Sequence, residues 1–227
     1  EVRGVFIEDD TFTTDNGRVR GFSEQLGKMK LPLTWTANSR ADLDFETLLA
    51  MKNANLRGLC VGFESGNQEL LNNIDKGLTL DRMERFAQDA KKAGVKIHGC
   101  FMVGLPGETR VTLQQTLQFS LRLPLDTAQF YPLMVYPGTK AFQWAKDQGM
   151  LIARTYRDWL SEEGLHQCVV RSKELSGKQL VNFCNFARRR FYLRKSYLLG
   201  LTKRMLWDAE ERHRVIRSAK TFLNHLL

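Results

Sequence analysis

The stretch from Met83 to Leu121, MERFAQDAKKAGVKIHGCFMVGLPGETRVTLQQTLQFSL, decides the fold class. Its first part sets Met83, Phe86, Ala87 and Ala90 at helical spacing, so they share one face. Ala93-Gly94 ends that helix, because glycine takes the left-handed turn a helix terminus favours. Lys96 to Val103 then reads as a short strand, broken by Gly104-Leu105-Pro106-Gly107. Thr109 stands where its hydroxyl can cap the next helix, which keeps Leu113, Leu117 and Leu121 on one side. Helix, strand, loop and helix make one step of a βα repeat.

The same alternation recurs outward in both directions. Strands are expected at Val5 to Glu8, Leu33 to Asn38, Gly58 to Phe63 and Thr127 to Met134, each followed by an amphipathic segment. Leu43, Thr47, Leu48 and Met51 share a face, and Thr139 heads a helix through Phe142 and Ala145. Five βα units imply an α/β fold with a parallel sheet. Their spacing fits an open doubly wound sheet as well as a barrel, and in both the ligands gather at the carboxyl ends of the strands. Beyond the repeats, Gln179 to Tyr197 and Lys203 to Leu227 read as helices with no strand between them.

With 227 residues, 43% of them hydrophobic, the chain can bury the core of one domain and carry an appendage. The net charge of +9 is unevenly placed. Residues 1–153 balance 18 Lys+Arg against 18 Asp+Glu, whereas residues 154–227 hold 16 against 7. The composition divides the chain there, into a repeat domain over 1–153 and a basic helical extension over 154–227, and argues against reading the whole chain as a nucleic-acid binder. No run reaches the roughly 18 apolar residues of a membrane span, and no signal peptide opens the chain. Cys60, Cys100, Cys168 and Cys184 have no clustered spacing, so they suit a reducing, cytoplasmic setting, with Cys60 and Cys100 as core residues and no metal ligands assigned. His98 alternates with apolar neighbours as a structural histidine would, and Glu210, Glu211 and His213 fall on a solvated helix face. Because Val5-Phe6-Ile7 follows so closely on Glu1, a preceding segment is expected.

Chemistry-bearing residues stand after each strand. Glu8-Asp9-Asp10-Thr11 is either a solvated acidic turn or a cradle for an amine or a metal. Gly62-Phe63-Glu64-Ser65-Gly66 offers a carboxylate and a hydroxyl suited to ribose or an amino-acid group, although Ser65 also suits a helix cap. Gly104-Leu105-Pro106-Gly107-Glu108 lacks the Gly-Lys-Ser/Thr ending of a phosphate loop, and Glu108 has the wrong charge for one. Tyr136-Pro137-Gly138-Thr139 joins an aromatic, a turn and a helix cap.

In this order, the strings Phe6-Ile7-Glu8-Asp9-Asp10-Thr11-Phe12-Thr13, Gly62-Phe63-Glu64-Ser65-Gly66, Lys76-Gly77-Leu78-Thr79, Phe101-Met102-Val103-Gly104-Leu105-Pro106-Gly107-Glu108-Thr109 and Tyr136-Pro137-Gly138-Thr139 resemble the radical S-adenosylmethionine enzymes, in the subclass with a cobalamin-binding domain ahead of the barrel. The resemblance covers about residues 1–150. It is looser over the tail, at Phe191-Tyr192-Leu193-Arg194 and Ala219-Lys220-Thr221-Phe222-Leu223. It implies a partial (β/α)6 TIM-like barrel, about five βα units of which are present and the first missing, followed by the α-helical C-terminal extension. It further implies a 4Fe-4S cluster that cleaves S-adenosyl-L-methionine to a 5′-deoxyadenosyl radical, cobalamin, a reductant such as flavodoxin or ferredoxin, and a small-molecule substrate for methyl transfer or rearrangement.

Carried over by position, Asp9 and Asp10 would hold the methionine amino group, Glu64 and Ser65 the ribose and carboxylate, Arg40 lies at the end of the strand between, and Val103, Gly104 and Tyr136 would flank the adenine. The family's C-x-x-x-C-x-x-C cluster loop and the Asp-x-His-x-x-Gly cobalamin motif do not occur in this sequence. A missing N-terminal segment or a companion chain would have to supply them, and the chain alone is expected to be inactive. Two alternatives stand beside this reading: a tRNA-modifying radical enzyme, and a non-catalytic half of a split enzyme that binds a partner through an open sheet edge. The aromatic-interleaved arginines Arg188, Arg189, Arg190 and Arg194 read as a packing helix and make nucleic acid the weaker partner.

Overall fold

A computed structural model describes residues 2–160 and 167–207. Five strands, β1 (Gly4–Ile7), β2 (Thr34–Ser39), β3 (Leu56–Glu64), β4 (Lys96–Val103) and β5 (Thr127–Pro132), form one wholly parallel sheet. Their order in space is their order in sequence. A doubly wound sheet reverses its order at a switch point, so the unbroken order selects the barrel winding that spacing alone left open.

Between the strands run α1 (Asn16–Met29), α2 (Phe45–Asn53), α3 (Gln68–Asn73), α4 (Leu80–Lys92) and α5 (Arg110–Arg122), and β5 is followed by α6 (Lys140–Asp147). Local chemistry fixes several starts. Asp15, Asp44 and Thr109 each accept the backbone N–H three residues on, at 2.7, 2.7 and 3.2 Å, and Thr139 does the same for Phe142. Leu43 lies just before the α2 cap rather than within the helix, yet it is still buried.

The helix-facing side of the sheet is closed and apolar: Trp35, Ala37, Leu59, Val61, Phe63, Ile97, Phe101 and Phe130 are all nearly inaccessible. Phe63, Phe101 and Phe130 stack across β3, β4 and β5 at 5.6 and 5.2 Å. Packing continues past residue 153. In α7 (Gly177–Tyr192), Leu180, Cys184, Ala187 and Phe191 join the same core. Tyr192 ties the helix to β5, its hydroxyl donating to the Ala128 carbonyl at 2.9 Å and accepting the Ala128 N–H at 3.1 Å.

The expected helix from Gln179 to Tyr197 is in fact two. It breaks between α7 and α8 (Lys195–Trp207), where Arg194 folds onto the Phe191 ring at 3.7 Å and donates to the Leu125 carbonyl. The segment Ala219 to Leu223, and Glu210, Glu211 and His213, lie outside the described residues. Among the described residues, no helix is long and apolar enough to cross a membrane.

Candidate functional site

The concave face of the sheet differs in kind from its helix-facing side. Alternate residues point to it, and the burial pattern separates Thr36 and Asn38 on β2, Cys60, Gly62 and Glu64 on β3, His98, Cys100 and Met102 on β4, and Tyr131 on β5 from their buried neighbours. These residues are half-buried. Cys60 and Cys100, expected in the core from their apolar surroundings, therefore line this polar face instead.

The carboxyl ends of the strands carry the residues singled out in the sequence. After β1, Asp9 pairs with Arg18 at 3.1 Å, and its carbonyl accepts from the Asn38 side chain at 3.2 Å. Asp10 beside it is exposed. After β2, Arg40 is already engaged, with Nε 3.2 Å from Asp42 and Nη2 donating to the Lys76 carbonyl at 2.8 Å.

Glu64 ends β3 in the left-handed backbone region, at φ 64°, where a bulge shifts the register against β4. Oε1 of Glu64 accepts from Lys76 Nζ at 2.9 Å in a largely buried ion pair. A side chain at Gly62 would collide with Oε1, so glycine there makes room for the pair. The other oxygen, Oε2, is buried without a hydrogen-bond partner. A strained backbone and an orphaned carboxylate oxygen are both costly, and such costs cluster where a ligand binds.

Ser65 turns the opposite way. It is fully buried, 3.1 Å from Thr116 Oγ1 of α5, and accepts the Asn67 N–H at 3.1 Å. Val103 and Gly104 close β4: the Val103 carbonyl accepts from Leu133 N at 2.7 Å, and Gly104, at φ 89°, donates to Glu108. Tyr136, beyond β5, is 49% exposed. The structure thus brings Asp9, Arg40 and Glu64 to one rim through Asn38 and Lys76, and sets Ser65 behind the sheet.

Burial and charge shape the titrating groups. Desolvation lowers the His98 pKa, favouring a neutral imidazole, whose Nδ1 lies 2.8 Å from the Thr127 hydroxyl. Cys60 and Cys100 have their sulfurs 3.6 Å apart, and their mutual hydrogen bond lowers the pKa of Cys60 and raises that of Cys100. Burial first, and then the Glu64 charge, push Tyr131 up.

Lys76, Asn38, Cys60, His98 and Cys100 were not singled out from the sequence as site residues. The available signal was the period-two alternation of β3 and β4, which puts Cys60 and Glu64 on one face and His98 and Cys100 on one face. Among the described residues, no three thiols meet: Cys168 and Cys184 belong to the α7 side of the fold. The donor set does not fit a three-thiolate iron–sulfur cluster. The orphaned Oε2 and the polar rim do fit a ligand with hydroxyl and amino groups.

A sequence profile described as the Radical SAM superfamily matches residues 2–120. An uncharacterized methyltransferase of Pyrococcus horikoshii is 31% identical over 87% of this chain and 42% of its own length. The bacteriochlorophyllide d C-12(1)-methyltransferase of Chlorobaculum tepidum is 28% identical over 83% of this chain and 40% of its own. The chain thus spans about two fifths of these relatives. In fold, it is similar to the radical S-adenosylmethionine methyltransferase TsrM of Kitasatospora setae, solved with cobalamin and a 4Fe-4S cluster, with a TM-score of 0.66, 17% identity, and 81% of this chain and 43% of that one covered.

Proposed function

This chain belongs to the radical SAM superfamily, and on that premise we propose that it is the S-adenosylmethionine-binding part of a cobalamin-assisted methyltransferase acting on a small molecule. One molecule of S-adenosylmethionine would supply the methyl group, and a second, cleaved with an electron from a reduced cluster, would supply the radical that activates the substrate carbon. The cluster, the cobalamin and the reductant, a flavodoxin or ferredoxin, would act from outside the residues described above. What this chain contributes is binding and orientation.

One observation carries the reading: Glu64 Oε2, buried and unpaired at the mouth of the sheet. Lys76 satisfies and orients the other oxygen, leaving Oε2 free to accept from a ribose hydroxyl. Asp9 and Asp10 would hold the methionine ammonium at the end of β1, the former exchanging its contact with Arg18 for the ligand. Backbone at Val103 and Gly104, with the half-exposed ring of Tyr136, would wall the adenine. Ser65 would act from behind the sheet, fixing the Glu64 turn through Thr116 and Asn67.

The test is equilibrium binding of S-adenosylmethionine to the chain and to Glu64→Gln. A hydrogen bond to a charged group contributes about 1.5–3 kcal/mol, so the substitution should weaken binding by roughly 10- to 100-fold. Equal affinity for the two proteins would remove the basis of the assignment.

A further inference from the structure

One group on the concave face is not among the residues assigned above to S-adenosylmethionine. Cys60 stands in the middle of β3, and His98 and Cys100 stand on β4; the register sets Cys60 beside His98 and Gly62 beside Cys100. The three side chains converge from adjacent strands, and a donor atom from each lies within 4.8 Å of the other two. The two sulfurs are 3.6 Å apart. At a zinc–sulfur distance of about 2.3 Å, two thiolates of a tetrahedral site stand roughly 3.8 Å apart. The observed spacing is close to that, and well beyond the ~2.05 Å of a disulfide. Thr127 holds the imidazole in place through its contact with Nδ1 at 2.8 Å.

We propose that Cys60, Cys100 and His98 form a binding site for a soft divalent cation of zinc type, separate from the iron–sulfur cluster of the family. Two sulfurs and one nitrogen select against the hard cations magnesium and calcium, which take oxygen ligands. Three protein ligands leave a fourth position of the tetrahedron open to water or to a donor atom of a bound molecule. Zinc draws both sulfurs into the thiolate form, with any thiol proton released to solvent, and the two thiolates cancel its charge. The half-buried pocket then holds no net charge. The inference does not depend on the S-adenosylmethionine reading, since neither Glu64 nor the β1 carboxylates take part.

The test uses the reduced 227-residue chain, freed of metal by a chelator and titrated with Zn2+ against a chromophoric competitor, and separately with Co2+ followed by absorption. One equivalent should bind, and cobalt should show thiolate charge-transfer bands together with tetrahedral d–d bands. Cys60→Ser, Cys100→Ser and His98→Ala should each weaken zinc by more than the roughly 100-fold that loss of an outer contact costs, and Thr127→Val by roughly 10- to 100-fold. Cys168→Ser should leave the affinity unchanged. Maleimide labelling of the unmodified protein provides a check that needs no variant: zinc should shield Cys60 and Cys100 but not Cys168. Absence of stoichiometric binding, binding retained by the Cys60→Ser and Cys100→Ser double variant, or equal labelling with and without zinc would each overturn the site.

Discussion

Glu108 should make the protein less stable as pH rises, and Glu108→Gln should remove that dependence. The residue is 3% exposed in the loop between β4 and α5. Its Oε2 accepts the Gly104 N–H at 3.2 Å, and its Oε1 accepts from the Thr112 hydroxyl. Burial outweighs these hydrogen bonds and raises its pKa from 4.5 to about 7. Below the unfolded value, both states carry the proton and the stability is fully present. Between the two values the folded state keeps a proton that the unfolded chain has released, so stability falls through this window and the loss is complete above about pH 7. Some two and a half units at ~1.36 kcal/mol each give a loss of about 3 kcal/mol. Glutamine retains an acceptor for Gly104 and mimics the protonated acid without titrating. Urea unfolding of both proteins from about pH 5 to about pH 8 should show the stability difference shifting in favour of the variant by most of that amount. Parallel pH profiles would refute the account.

Three further perturbations test the packing. Phe130→Ala removes a ring stacked on Phe101 at 5.2 Å and edge-on to Phe191 at 6.5 Å, and should cost about 3–5 kcal/mol in urea unfolding. Tyr192→Phe deletes both hydrogen bonds to Ala128 and should cost about 1–3 kcal/mol, with faster hydrogen exchange at the Ala128 amide. Gly66→Ala would place a Cβ 2.6 Å from the Gln115 carbonyl and 2.6 Å from Phe119 Cβ, so α5 must move; a loss of about 1–3 kcal/mol with weakened amide protection in α5 is expected, and unchanged protection would contradict the close approach.

What was legible in the sequence was what local chemistry determines. Lys96 to Val103 is β4 to the residue, and the Met83, Phe86, Ala87 and Ala90 face of α4 is fully buried or nearly so. Thr109 and Thr139 cap as their positions imply. What tertiary contacts determine was not legible. The break after α7 has neither glycine nor proline to announce it, because Arg194 stacked on Phe191 helps to hold it. β5 ends at Pro132 rather than Met134, because its partner β4 ends at Val103, whose carbonyl takes the last bond, from Leu133 N. The rim residues could be named because each follows a strand directly. The juxtaposition of Cys60 with His98 and Cys100 depends on the register between β3 and β4, which a single sequence does not state.

The two faces of the sheet explain why fold and site can be separated here. Strands of a parallel sheet packed on both sides read as continuous apolar runs, since each face must exclude water. β2, β3 and β4 instead alternate, with Trp35, Ala37, Leu59, Val61, Ile97 and Phe101 toward the helices and Thr36, Asn38, Cys60, Glu64, His98 and Cys100 toward the concave side. Polar groups in a closed interior would cost more than they return unless each found a partner, and Glu64 Oε2 has none. A sequence that keeps such groups on the inner face while packing the outer face with stacked aromatic rings uses the outer layer for stability and leaves the inner one to ligands. The binding chemistry of this protein should therefore be sought along the inner edges of β2 to β5, where exchanging one polar side chain for another of similar shape alters what is held with little effect on the helix-facing core.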